Sequence, residues 1–133
     1  MNRSLLGRGS IIFLHALGGW ALCAATMAVG MAVMAMGSAL ILHAVLAPVF
    51  FSALSVLYFT KFNYTTPLWT AAIFLLFVLF MDFFVVALAV LGNFSMFESF
   101  LGTWIPFALI FIATYATGRA VVKRRMPEGA SLR

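Results

Sequence analysis

Asp82 is the residue in this sequence with the clearest capacity for chemistry, because it stands alone in a long apolar stretch. No other charged residue occurs between Lys61 and Glu98. In the middle of a membrane span, an aspartate costs roughly 2.5–3.5 kcal/mol on insertion scales. A chain tolerates that cost when the carboxyl group finds a partner, lines a wet cavity or carries a proton. Asp82 is therefore the first candidate for a proton or substrate site.

His43 is the residue that we expect to pair with Asp82. At a rise of about 1.5 Å per residue, Asp82 lies roughly 10 Å and His43 roughly 6 Å below the same outer surface. A contact between the two could hold the charge of the carboxylate or relay a proton. In the alternative interpretation, Asp82 is protonated or bonded to a backbone carbonyl or a hydroxyl group, and only joins helices. The sequence leaves both interpretations open.

Three further polar residues form a secondary candidate site. His15 lies about one turn inside the first apolar run, in the opposite leaflet to His43, so we expect no haem or zinc ion held by both rings. We interpret His15 as an inward-facing, hydrogen-bonded histidine. Ser52 and Ser55 follow Pro48, which should kink its helix and free backbone groups that hydroxyl groups can satisfy. Packing explains this kink better than a hinge or a cavity does.

The composition indicates that lipid surrounds most of the chain. Of its 133 residues, 65% are hydrophobic and 8% are charged, whereas soluble domains carry about 25% charged residues. The single Cys23 excludes an internal disulfide and a cysteine-based metal cluster. The phosphate-binding, dinucleotide, metalloprotease and nucleophile-elbow motifs are absent from the sequence. We therefore expect no enzyme activity, no metal and no cofactor.

We predict an all-α integral membrane protein that forms one domain, a bundle of four transmembrane helices. The spans are at about 11–36, 39–60, 67–91 and 104–122, and a basic tail follows at 123–133. Gly37-Ser38 should separate the first two spans, because Gly ends helices and Ser caps them. Thr66-Pro67 should start the third. The residues from Ser95 to Glu98 match a capping box, so we expect a short interfacial helix between helices 3 and 4.

The basic residues predict the orientation of these spans. All eight fall on one side after four crossings: Arg3, Arg8, Lys61, Arg119, Lys123, Arg124, Arg125 and Arg133. The positive-inside rule then places both termini in the cytoplasm. This clustering favours topology over nucleic-acid binding, and also over recognition of anionic lipid by residues 123–125. Tyr64 and Trp69 at the inner edge and Trp104 at the outer edge are expected interfacial anchors.

Span one carries small residues on two adjacent strips, which let helices approach closely in a bilayer. The first strip contains Gly18, Ala21, Ala25, Ala28, Ala32 and Ala35, and the second contains Gly19, Cys23, Thr26, Gly30 and Gly37. Because it is narrow on both faces, we expect this span to be central in the bundle.

Three stretches give the chain a resemblance to a known kind of protein. Residues 81–87 (MDFFVVA), 102–108 (GTWIPFA) and 43–48 resemble small uncharacterised bacterial four-span membrane proteins. The resemblance implies a bacterial inner membrane and brings no activity with it. In size and span count the chain is also similar to small multidrug-resistance transporters. Those keep their essential carboxylate in the first span, so their mechanism is not carried over.

Two functions follow as hypotheses. The first is a proton-coupled transporter of a small molecule or ion, acting as a homo-oligomer in the lipid bilayer with Asp82 as the protonatable site. The second is a non-catalytic accessory or structural subunit, which packs against a larger membrane partner through the small residues of span one.

Overall fold

The computed structural model describes residues 3–125, and helices make up almost all of that range. Helix α1 covers Arg3–Val33, α2 Met36–Lys61, α3 Pro67–Met81 and α4 Ile105–Arg125. A π-helical segment, Asp82–Leu91, continues α3, and a 3-10 turn at Ser95–Glu98 and a second π segment at Phe100–Trp104 lead into α4. Within residues 3–125, four helices are long and apolar enough to cross a membrane. This confirms the predicted multi-pass helical architecture; most of the predicted tail lies outside the described residues.

The four spans are arranged in the order α1, α2, α4, α3 around the bundle. Helix α2 packs against α1 and α4, and α3 packs against α4 and, more sparsely, α1. Helices α2 and α3 therefore lie on a diagonal, although they follow each other in the chain. We call the contact between α1 and α3 the α1–α3 seam. We call the end that holds Arg8, Lys61 and Arg119 the basic end.

The turn between α1 and α2 comes earlier than the sequence indicates. Helix α1 ends at Val33, and Ala35 precedes α2 in an extended conformation (φ −62°, ψ 150°) without a side-chain cap. Gly37 and Ser38 thus lie in the first turn of α2. The two helices approach closely beside this turn, where a Cβ atom on Gly30 would lie 3.0 Å from the Cβ atom of Ala39. Helix α3 starts as predicted: the Thr66 side chain accepts a hydrogen bond from the Trp69 N–H.

Aromatic rings fill the half of the bundle next to the basic end. Phe51, Tyr58, Phe59 and Phe74 are fully buried. The ring centroids of Phe51 and Phe74 are 5.8 Å apart, so side chains from α2 and α3 meet across the diagonal. A Cβ atom on Gly19 would lie 2.5 Å from the Phe51 ring, which explains the glycine at that position of α1. This half of the bundle is solidly packed.

Helix α1 is peripheral, contrary to the expectation that it is central. Only the second strip of small residues faces the bundle: Gly19, Cys23 and Gly30 are buried. The first strip is largely exposed, since Ala21, Ala25, Ala28, Ala32 and Ala35 all lie on the surface. In the ring of four helices, α1 has two neighbours, α2 and α3. One strip of small residues is therefore sufficient for the close contact of α1 with α2.

Candidate functional site

The Asp82 carboxylate is held by a side chain on a neighbouring helix. The indole Nε1–H of Trp20, on α1, donates a hydrogen bond of 2.9 Å to Asp82 Oδ1. Both side chains are half-buried, and the bond crosses the α1–α3 seam. Cys23, which follows Trp20 by about one turn of α1, is buried. A polar bond between two spans inside an apolar bundle is the central feature of the candidate site.

The chain brings Trp20 and Asp82 to one level because two helices rise in parallel from the basic end. At about 1.5 Å per residue, Trp20 lies roughly 26 Å from the start of α1, and Asp82 roughly 22 Å from the start of α3. Both therefore lie near the middle of their spans. An indole N–H has no acceptor in lipid, and a carboxylate has no donor there, so each satisfies the other.

Asp82 also marks a change in backbone geometry. Its N–H bonds to the carbonyl groups of both Leu79 and Val78, and the π-helical segment begins at Asp82. Beyond Asp82 the segment packs little against α1, α2 and α4, and Ala87 is its one buried residue. The segment ends at Gly92, which adopts a left-handed conformation (φ 71°).

His43 does not hold the carboxylate as we expected. It is half-buried on α2, and its Nδ1 atom has no hydrogen-bond partner in the described part of the chain. The two residues lie at similar depths, but α2 and α3 are diagonal partners, and Asp82 bonds to α1 instead. The pairing was predicted from depth alone, and depth does not show which spans are neighbours in the bundle.

The secondary polar residues are engaged locally and do not form one site. His15 donates from Nδ1–H to the Ile11 carbonyl at 2.8 Å, and its ring lies edge-on to Tyr58 at 5.6 Å. Ser55 donates to the Phe51 carbonyl at 2.6 Å, one turn back on its own helix. Ser52 is half-buried beside Pro48. His15 is thus a satisfied histidine, in agreement with our interpretation.

A chain of hydroxyl groups near the basic end was not anticipated from the sequence. The Thr70 hydroxyl donates to the Thr66 carbonyl at 2.8 Å, so it must accept from Thr65, which lies 2.6 Å away. Thr65 in turn accepts from the Tyr58 hydroxyl at 2.8 Å. The chain fastens the loop between α2 and α3 to the end of α2. The sequence contained a signal for this chain of hydroxyl groups, because Tyr58 near a span end is followed by Thr65, Thr66 and Thr70.

The expected anchor residues lie at the two ends of the spans. Trp69 is 66% exposed and Tyr64 38% exposed at the basic end. At the other end, Trp104 donates from Nε1–H to the Phe97 carbonyl at 2.9 Å. In the connection before it, the side chain of Asn93 accepts from the Ser95 N–H at 2.9 Å. This turn is followed by four residues of 3-10 helix at Ser95–Glu98, and the predicted short interfacial helix is not confirmed.

Comparisons with known proteins leave the site to be judged on its geometry. A scan against protein-family models, a search of curated proteins and a search of solved structures each find no match to this chain.

Proposed function

We propose that this chain is a multi-pass protein of the bacterial inner membrane that couples proton binding at Asp82 to the movement of a small molecule or ion. Both termini would lie in the cytoplasm, as the positive-inside rule requires. The observation that supports the proposal is the bond between Trp20 and Asp82. The bond joins α1 and α3, which pack more sparsely than any other pair of neighbouring spans in the described residues. It forms at Asp82, where α3 changes to π-helix.

Protonation of Asp82 would weaken this bond. Hydrogen bonds to an ionised group are roughly twice as strong as those between neutral groups. A neutral carboxyl group therefore holds the Trp20 indole less tightly. Because the π segment packs little against the other helices, few contacts beyond Asp82 oppose opening of the α1–α3 seam on that side of the bond. Proton binding would thus be coupled to opening of the seam.

The proposed path does not run through the centre of one copy. The buried rings of Phe51, Tyr58 and Phe74 occupy the centre near the basic end. A substrate would instead move along the seam or between copies, so we propose a homo-oligomer in the lipid bilayer. In the same proposal, the turn at Ser95–Glu98 lies in the outer interface, together with Trp104.

The test is transport by protein reconstituted in liposomes, with an internal pH dye as the readout. We expect proton flux driven by candidate substrates in the wild type, and its loss in Asp82→Asn, which inserts and assembles normally. Trp20→Phe should shift the pH dependence of flux. Trp104→Phe, which removes an indole N–H that is not bonded to Asp82, should not. Unchanged pH-dependent flux in Asp82→Asn would contradict the proposal.

A second candidate function is an accessory subunit of a larger membrane complex. The exposed first strip of small residues on α1 favours it, because such residues let a partner helix approach closely. Purification in mild detergent followed by mass spectrometry would distinguish the two functions. A stoichiometric partner that is lost in an Ala25→Leu variant supports the subunit. A stable homo-oligomer without other proteins supports the transporter.

A further inference from the structure

The Arg8 guanidinium group is held in one orientation by an aromatic ring. Its central carbon lies 5.1 Å from the centre of the Tyr64 ring. Tyr64 in turn packs against two other rings. Its ring centroid lies 6.4 Å from that of Tyr58 and 5.8 Å from that of Phe62. A cation–π contact of this kind uses none of the N–H donors of the guanidinium group in a hydrogen bond, so they can serve a further partner.

No carboxylate of the described chain neutralises this end of the bundle. Within residues 3–125 the acidic residues are Asp82, near the middle of its span, and Glu98, at the opposite end. Arg8 is exposed and makes neither an ion pair nor a hydrogen bond within that range. Lys61 is likewise exposed, at the last position of α2 and at the start of the loop that carries Tyr64. A planar fork of free donors matches the oxygen atoms of a phosphate group.

Exposed apolar side chains lie deeper along the span than Arg8. Phe13 and Leu14, which follow Arg8 on α1 toward the middle of the span, are 54% and 64% exposed. A ligand that carries a phosphate group next to hydrocarbon chains would satisfy both the cations and these side chains. A free phosphate ion would satisfy only the cations.

We propose that Arg8 and Tyr64, with Lys61, bind the headgroup phosphate of an anionic phospholipid. The in-plane donors of Arg8 take the phosphate oxygens, Tyr64 keeps the guanidinium group in position, and Lys61 adds charge. The acyl chains of the lipid extend from the phosphate toward the middle of the bilayer, along the exposed Phe13 and Leu14. This site does not depend on the proposed transport activity.

Arg119 provides the matched control. Its guanidinium carbon also lies over a tyrosine ring, that of Tyr115, at 5.7 Å. One of its nitrogen atoms, however, already donates to the Tyr115 hydroxyl at 3.1 Å. The two arginines share residue type, exposure and an aromatic neighbour, and they differ in how many donors are free. A general attraction between basic residues and lipid would involve both equally.

The experiment is native mass spectrometry of the full chain in detergent, titrated with phosphatidylglycerol or phosphatidylcholine. We expect selective binding of phosphatidylglycerol, weakened about fivefold in Arg8→Gln, since one basic side chain near a membrane surface contributes that factor. Tyr64→Leu should weaken binding as well, Tyr64→Phe should retain it, and Arg119→Gln should retain it.

Three results would overturn the proposal. Equal weakening in Arg8→Gln and Arg119→Gln would show diffuse attraction without a built site. Equal binding of phosphatidylcholine and phosphatidylglycerol would show that headgroup charge is not recognised. Displacement of phosphatidylglycerol by inorganic phosphate at equal concentration would show a site for the free anion. Thermal unfolding of each variant in detergent verifies that the comparisons are made between folded proteins.

Discussion

The substitution Trp20→Phe tests the bond on which the candidate site depends. Phenylalanine keeps an aromatic ring in the α1–α3 seam and removes the Nε1–H that donates to Asp82 at 2.9 Å. We expect the variant to unfold more readily, because the carboxylate loses its donor in apolar surroundings. To separate this loss from the smaller volume of the ring, the substitution is combined with Asp82→Leu in a double-mutant cycle.

Two scales bear on the size of the effect. Hydrogen bonds to charged groups contribute about 1.5–3 kcal/mol in soluble proteins. Bonds between transmembrane helices contribute about 0.6 kcal/mol on average and at most about 1.7, because the unfolded chain in a membrane also finds partners. The membrane scale applies here. The carboxylate acceptor places the bond between Trp20 and Asp82 near the upper end of this scale, so we expect a coupling free energy of about 1.5 kcal/mol.

The assay is equilibrium unfolding in mixed micelles with increasing sodium dodecyl sulfate, followed by circular dichroism so that loss of a tryptophan does not alter the signal. Trp104→Phe is the control, since its indole donates to the Phe97 carbonyl at the same 2.9 Å distance. Its effect should add to that of Asp82→Leu within about 0.5 kcal/mol. The same additivity is expected for His43→Phe.

Two results would refute the reasoning. A coupling free energy below about 0.5 kcal/mol between Trp20 and Asp82 would show that the bond is not a significant contact between the helices. A larger coupling between His43 and Asp82 than between Trp20 and Asp82 would restore the pairing expected from depth alone.

Two further substitutions test the packing and the hydroxyl chain by the same unfolding measurement. Gly19→Ala places a Cβ atom 2.5 Å from a buried ring and should cost about 1–3 kcal/mol. Gly18→Ala, with nothing within 4 Å, should be neutral or stabilise by up to about 1 kcal/mol through helix propensity; equal destabilisation by both would contradict the packing. Thr65→Val leaves the Tyr58 hydroxyl without its acceptor and should cost about 1–3 kcal/mol, while the exposed Thr60→Val should cost little. A neutral Thr65→Val variant would show that water replaces the bond.

Much of the fold could be predicted because lipid imposes span length. Hydropathy and length located four spans, and a local signal at Thr66 and Pro67 located the start of α3. The break between α1 and α2 was less predictable. Every residue near it is apolar or small, so no local signal marks the helix end, and the nearby Gly37 lies in the first turn of α2.

The candidate site was only half predictable, because sequence gives the depth of a residue in a bilayer and not the direction that its helix faces. These helices carry apolar residues on all sides, so no amphipathic face fixes their rotation. Asp82 could be located, but its partner could not. Trp20 lies at a depth close to that of Asp82 and carries the N–H donor. A search for side-chain donors at the depth of Asp82 would have given Trp20 as a candidate partner in addition to His43.

In the proposed function and orientation, the buried aromatic layer formed by Phe51, Tyr58, Phe59 and Phe74 has an electrical consequence. If water reaches Asp82 along the α1–α3 seam from the outer side, the dry layer beneath is the insulator across which the membrane voltage falls. A proton arriving from outside would then cross little of the voltage, and its onward transfer to the cytoplasm would cross most of it. At about 2.3 kcal/mol per charge for each 100 mV, the onward step would be the one that the cell's voltage drives.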